Sequence, residues 1–253
     1  FLLSLATFSS MALQRICDPM LPELSRVFEA SISDTSQVIS LFAITYGLMQ
    51  LFYGPVGDRF GKYRVVMLAT LGCSVGCVAS ALSGDLNFLV AARVGTALVA
   101  AAIIPLSLAW VGDAVPYEHR QETLARVGLG TMLGITAGQM FGGLLTDTVG
   151  WRWAFALLAA TFGGVCFLLQ RDSKYLNAVT PHHTHAASGF LKQLIAVAHD
   201  KWARTLLHVA LMEGAMIFGL LAVTASHLHQ MHHISLTLAG GTTGLFGLGG
   251  MAY

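Results

Sequence analysis

Four ionisable residues stand inside otherwise apolar stretches of the sequence: Arg15, Asp18, Arg93 and Glu213. A charge at membrane depth costs a few kcal/mol or more, which makes such groups functional candidates by default. Asp18 can hold and release a proton, Arg15 and Arg93 can stabilise its carboxylate, and Glu213 can bind a proton or a cationic solute. His208, in the same stretch as Glu213, is a weaker candidate. Counted inward from the ends of their stretches, Asp18 and Arg93 lie about 6 and about 7 residues in, on the order of 10 Å deep. The shared depth predicts an Asp18 to Arg93 ion pair, with Arg15 one turn deeper on the same face. Protonation of Asp18 would free Arg93, a natural step for exchanging a proton against a solute. A static pair that only locks helix packing is the competing reading of the same residues.

Metal chemistry is less well served. His229, His232 and His233 fit the His-x2-His-His box of membrane di-iron desaturases, the rival from a different functional class. The other cluster, His182, His183 and His185, is predicted on the opposite membrane face, so the two cannot share a metal site. No cofactor and no metal are expected. Cys17, Cys73, Cys77 and Cys166 all fall in apolar runs and read as small buried hydrophobes.

The elements that must position these residues follow from where charge is missing. Of 253 residues 55% are hydrophobic and 11% charged, against roughly a quarter charged in a soluble domain. The net charge of +1 leaves no basic field for nucleic acid. Charge-free runs cover Thr35 to Gly57, Val65 to Leu82, Val94 to Gly112, Val127 to Thr146, Trp153 to Gln170 and Ile234 to Tyr253. Each reaches about 18 residues, enough to cross a hydrocarbon core as a helix. Two further runs carry the ionisable residues above, Phe1 to about Pro22 and about Ala203 to Leu228, which makes eight expected spans. With the N-terminus cytoplasmic, the inner loops hold Arg59, Lys62, Arg64, Arg120, Arg126, Arg171, Lys174, Lys192, Lys201 and Arg204, and the outer loops only Arg26 and Arg152. Positive charge favours the inside, so that orientation is expected. Trp151, Trp153 and Trp202 sit at span ends, as in an interfacial belt. Three domains are predicted: a six-helix bundle over residues 1–171, a cytoplasmic linker over 172–201, and the start of a second bundle over 202–253.

An internal repeat supports the division. Gly54-x3-Asp58-x2-Gly61 follows the second span, and Gly143-x3-Asp147-x2-Gly150 follows the fifth. An odd number of spans separates the copies, which places them on opposite faces, as inverted three-helix repeats of secondary transporters require. Gly130, Gly134, Gly138 and Gly142 recur every fourth residue and put one smooth face on the fifth span, suited to close approach of a partner helix; Gly95 is a further small residue of this kind.

The stretch Gly54-Pro55-Val56-Gly57-Asp58-Arg59-Phe60-Gly61-Lys62-Tyr63-Arg64 resembles the signature loop between helices two and three of the major facilitator superfamily. Asp18-Pro19-Met20-Leu21-Pro22 looks like the end of helix one in drug:proton antiporters of that superfamily, and Arg93 followed by Gly95 like their helix-four motif. The stretch from Gly134 through Gly138, Gln139 and Gly142 to Gly143 looks like their helix-five motif, with Gln139 where proline is usual. The resemblance runs from helix one into helix eight of a twelve-helix fold, so the chain is expected to be part of a longer transporter. It implies an all-α membrane fold and a cytoplasmic gate built by Gly54, Gly57, Asp58, Arg59, Gly61, Lys62 and Arg64. In that gate the Asp lies near a helix N-terminus in the second half of the fold and an Arg reaches an acid at the end of helix four, the position of Asp113.

The function expected is secondary active transport of a small solute by alternating access, proton-coupled efflux in the bacterial inner membrane, with a small molecule, protons and lipid as partners and a monomeric state. No enzymatic activity and no nucleic acid are expected. Proton-linked uptake of a metabolite is the alternative within the class. A seven-helix receptor is disfavoured by the loop motifs and the repeat.

Overall fold

In a computed structural model the described residues, 1–172, 195, 197 and 199–252, form eleven helices and no strand. The expected linker lies largely outside the described residues, and with it Lys174, Lys192, His182, His183 and His185.

Two expected spans, the first and the fourth, are interrupted helices, and proline explains where. α1 (Leu2–Arg15) ends before Pro19, a short run of turns carries Asp18, and α2 (Leu21–Val27) restarts with Pro22 in its first turn, where a missing N–H is harmless. α3 (Ile32–Thr35) leads into α4 (Gln37–Phe60), and together they make one rod, Ile32–Phe60. α5 (Lys62–Ala81) follows. α6 (Leu86–Ala100) is capped by Asp85, whose carboxylate accepts from Phe88 N–H at 2.8 Å. It gives way to α7 (Ile103–Ala114) at Ala101, whose carbonyl has no helical donor because Pro105 stands four residues on. α8 (Tyr117–Thr148) is 32 residues long, about 48 Å at 1.5 Å per residue. α9 (Trp151–Arg171), α10 (Lys201–His232) and α11 (Leu236–Ala252) complete the series.

Five of these rods are long and apolar enough to cross a membrane: Ile32–Phe60, Lys62–Ala81, Leu86–Ala114, Trp151–Arg171 and Lys201–His232. The other three expected spans, α1, α8 and α11, are shorter or richer in glycine and hydroxyl residues, and they pack on one another, α8 lying between α1 and α11. The fourth span begins at Leu86 rather than Val94, because the helix runs through the buried Arg93.

The two faces of the bundle are identified by contacts between turns. Lys62, opening α5, meets Asp113 at the end of α7. Arg152, opening α9, donates to the Ser83 carbonyl at 2.9 Å, which puts the α8/α9 and α5/α6 turns together on the other face. The repeat is visible in the backbone: Gly61 and Gly150, the last residues of the two motif copies, are the positive-φ glycines among the described residues, at 88° and 100°. Each lets one helix stop and the next start at once, Gly61 within a single residue and Gly150 within two, Val149 and itself.

Trp151 departs from the expected belt. It is 2% exposed, packed on Phe28 and Phe155 at ring-centre distances of 5.7 and 6.0 Å, while Trp153 and Trp202 are exposed.

Candidate functional site

The glycine face of α8 determines how α1 lies. A Cβ at Gly130, Gly134, Gly138 or Gly142 would collide with the carbonyl oxygen of Ser4, Phe8, Ala12 or Ile16 respectively. Four glycines at four-residue spacing therefore meet four carbonyls at the same spacing, and the helices touch backbone to backbone. Gly142 also faces Pro19, so the broken end of α1 is held against α8. Gly95 faces open space.

That contact delivers Asp18 to Gln139. Asp18 is fully buried, and its Oδ2 accepts from Gln139 Nε2 at 2.8 Å and lies 3.4 Å from Arg15 Nη1. Oδ1 of Asp18 and Nε of Arg15 have no hydrogen-bond partner. On its other side Gln139 accepts, through Oε1, the hydroxyl of Thr243 on α11 at 3.0 Å. A chain of polar groups thus runs from Arg15 through Asp18 and Gln139 to Thr243. Gln139 stands where the resembled motif has proline, and a proline there could make neither contact.

The expected Asp18 to Arg93 ion pair is not formed. Arg93, 1% exposed, donates instead to the Leu13 carbonyl at 3.0 Å and lies over the Phe42 ring at 3.9 Å. Leu13 is in the last turn of α1, where carbonyls run out of helical donors, so the guanidinium finds a neutral acceptor and an aromatic face there. Equal depth was insufficient, because the break after Arg15 turns Asp18 toward α8 while Arg93 approaches α1 from α6. Arg15 supplies the ion pair in its place, and its guanidinium also covers the Phe218 ring of α10 at 4.3 Å.

Glu213 is not brought into this group. It lies on α10, exposed, five residues or about 7.5 Å along the helix from Phe218. His208 is likewise exposed, its Nδ1 2.7 Å from the Arg204 carbonyl oxygen. Among the described residues no group of three His, Cys, Asp or Glu side chains converges as a metal site, and His229 is engaged with the Ile234 carbonyl at 2.7 Å.

At the opposite face, Lys62 lies 3.1 Å from Asp58 Oδ1 and also meets Asp113 Oδ2, tying the ends of α4, α5 and α7 together. An Arg was expected to reach Asp113. Arg59 is instead directed over the Phe60 ring at 5.3 Å, and Lys62, as the first residue of α5, is the cation beside α7. Asp58 is engaged with this lysine. Gly57 packs against Leu106, whereas Gly54 faces open space and Arg64 is exposed.

Beyond this geometry, the chain itself matches a family described as the Major Facilitator Superfamily over residues 3–253. The chain belongs to that superfamily. It is 27% identical to the multidrug export protein EmrB of Escherichia coli K12 over 60% of this chain and 30% of that protein. It is 25% identical to the MFS-type transporter hepF of Aspergillus oryzae over 98% of this chain and 57% of that protein. Its fold superposes on a bacterial homologue of the human lysosomal transporter Spinster, in an inward-facing and occupied conformation, with a TM-score of 0.74 at 18% identity, covering 95% of this chain and 56% of that one. A D-xylose-proton symporter superposes with a TM-score of 0.66 at 15% identity, over 98% of this chain and 64% of that one. The chain therefore spans about a third to a little over half of the curated relatives it matches. It is a multi-pass membrane protein of a transporter superfamily.

Gln139 was identified in the sequence only as a departure from a motif, and Thr243 and Phe218 were not singled out. The signal available for Gln139 was its position between Gly138 and Gly142, a polar side chain flanked by close-approach glycines. Thr243 and Phe218 carry no such mark, since nothing local distinguishes them from neighbouring span residues.

Proposed function

We propose that this chain carries the proton-coupling half of a secondary active transporter that exports a small amphiphilic solute by alternating access, with Asp18 as the proton site. One observation carries the reading: the Asp18 carboxylate is buried, holds a cation of its own half, and is linked through Gln139 to Thr243 beyond the linker. Protonation removes the charge that holds Arg15 and weakens the acceptor that holds Gln139, so the protonation state of one carboxyl biases the contact between two bundles. Arg93 serves as a packing cation for α1, α4 and α6. Residues 1–171 act as one bundle and the helices after residue 201 belong to the other. The N-terminus is cytoplasmic, the protein sits in a bacterial inner membrane, and it works as a monomer. The export homologue EmrB supports the direction.

The test is transport by the full-length protein in proteoliposomes with an imposed pH gradient. Asp18→Asn, which keeps the shape of the protonated acid, is expected to abolish gradient-driven movement while leaving solute exchange at equal pH. Gradient-driven transport by the Asn variant at the wild-type rate would overturn the assignment. Movement of solute with the proton gradient rather than against it would assign uptake in place of efflux.

A further inference from the structure

The two copies of the Gly-x3-Asp-x2-Gly motif make different contacts. Asp58 of the first is engaged with Lys62 of its own bundle. Asp147 of the second reaches across to α11: its Oδ2 accepts the Thr237 backbone N–H at 2.6 Å and the Thr237 hydroxyl at 2.7 Å. We infer that Asp147 is a positioning residue of the transport cycle, a capping latch that holds the two bundles closed on the face opposite Lys62, and that the second motif copy is built to deliver it.

Each part of the motif has a physical task. The first N–H groups of a helix have no intrahelical acceptor. Ser235 covers one on α11, its Oγ accepting from Leu238 N–H at 3.2 Å, and Asp147 covers that of Thr237 from outside the helix. Its charge also meets the positive end of a 17-residue helix. Gly143 stands one turn before Asp147 and lets the first turn of α11 rest on α8. A Cβ there would lie 2.7 Å from the Leu236 carbonyl carbon and 3.2 Å from Thr237 Cα, and closer still to the Leu236 oxygen. Gly150, at φ 100°, stops α8 just beyond Asp147. Further along, the seam is continued by Gly240 against the Gln139 carbonyl, by the Thr136 hydroxyl donating to the Gly244 carbonyl at 3.1 Å, and by Gly247 against Thr136. Met132, Thr136, Gln139 and Gly143 thus form a second stripe on α8, beside the glycine stripe that takes α1.

Asp147 is exposed, so its bonds to Thr237 can break by hydration without leaving a buried orphan. That suits a contact that must open once per cycle. Its strength is that of a helix cap: loss of about 1 kcal/mol corresponds to roughly a fivefold change in an equilibrium.

The inference rests on alternating access as proposed above, but not on the proton site. The experiment introduces a reporter, Ala239→Cys, at a buried position in the first turn of α11 of the full-length protein in membranes, and measures labelling by a membrane-impermeant maleimide applied to the Asp147 face. Adding Asp147→Ala is expected to raise the labelling rate about fivefold, and Asp147→Asn, which retains the cap acceptor, to restore it close to the starting value. Equal labelling in all three proteins at equal membrane abundance would overturn the latch. Raised labelling in both Asp147 variants would refute the cap and assign the effect to charge alone. A failure of the Asp18 assignment would show in the pH-gradient assay and leave this labelling pattern intact.

Discussion

Gly138→Ala tests the backbone contact that delivers Asp18 to its partner, and Gly128→Ala on the same helix is its control. A Cβ at Gly138 would stand 2.6 Å from the Ala12 oxygen and 3.0 Å from Arg15 Cβ, whereas one at Gly128 meets nothing within 4 Å. Ordinary contact begins near 3.4 Å, so α1 must retreat from α8 by roughly 0.8 Å. Overpacking of this kind costs about 1–3 kcal/mol, and Ala in a helix interior recovers about 1 kcal/mol relative to Gly. Gly138→Ala should therefore be less stable than wild type by up to about 2 kcal/mol, while Gly128→Ala gains about 1 kcal/mol. The measurement is thermal unfolding of the purified full-length protein in one detergent, with the two variants side by side. The Gly138 variant should melt several degrees below the Gly128 variant and lose gradient-driven transport in proportion, because the same retreat carries Arg15 and Asp18 away from Gln139. A Gly138 variant that melts with or above the Gly128 variant would refute the backbone-contact account.

Two further outcomes follow from the charged groups. Arg93→Lys should lower stability by about 1–3 kcal/mol, since an ammonium cannot lie flat on Phe42 while donating to the Leu13 carbonyl, and a variant melting at the wild-type temperature would refute that role. Lys62→Gln should lower stability by about 1 kcal/mol or less, because Asp58 and Asp113 are about half exposed, and the loss should be largest at low salt, where the two unneutralised carboxylates repel most. Melting curves of wild type and variant across a salt series check this.

The elements were legible because they depend on local composition: charge-free runs became helices, and the glycine at the end of each motif copy became a positive-φ turn on opposite faces. The glycine stripe of α8 announced a close partner, though not that the partner would be α1 with its carbonyls in matching register. Buried charge was equally visible. Its pairing was not, and the Asp18 to Arg93 expectation failed on a detail that depth does not contain, the rotation of each side chain about its helix axis after a break. Lys62 displaced an Arg at Asp113 for a related reason: a glycine turn decides which basic residue opens the next helix.

The sequence by itself determined the order of the apolar stretches, the two glycine turns and three of the buried charges, Arg15, Asp18 and Arg93, because hydropathy and glycine act within a few residues; Glu213, in an equally apolar stretch, is exposed. Only the tertiary structure decided that Asp18 answers to Arg15 and Gln139, that Gln139 reaches Thr243, and that Asp147 caps α11. Those contacts join residues up to 121 positions apart, and the approach and rotation of whole helices, set by backbone-to-backbone packing at glycine, are what bring them within hydrogen-bonding distance.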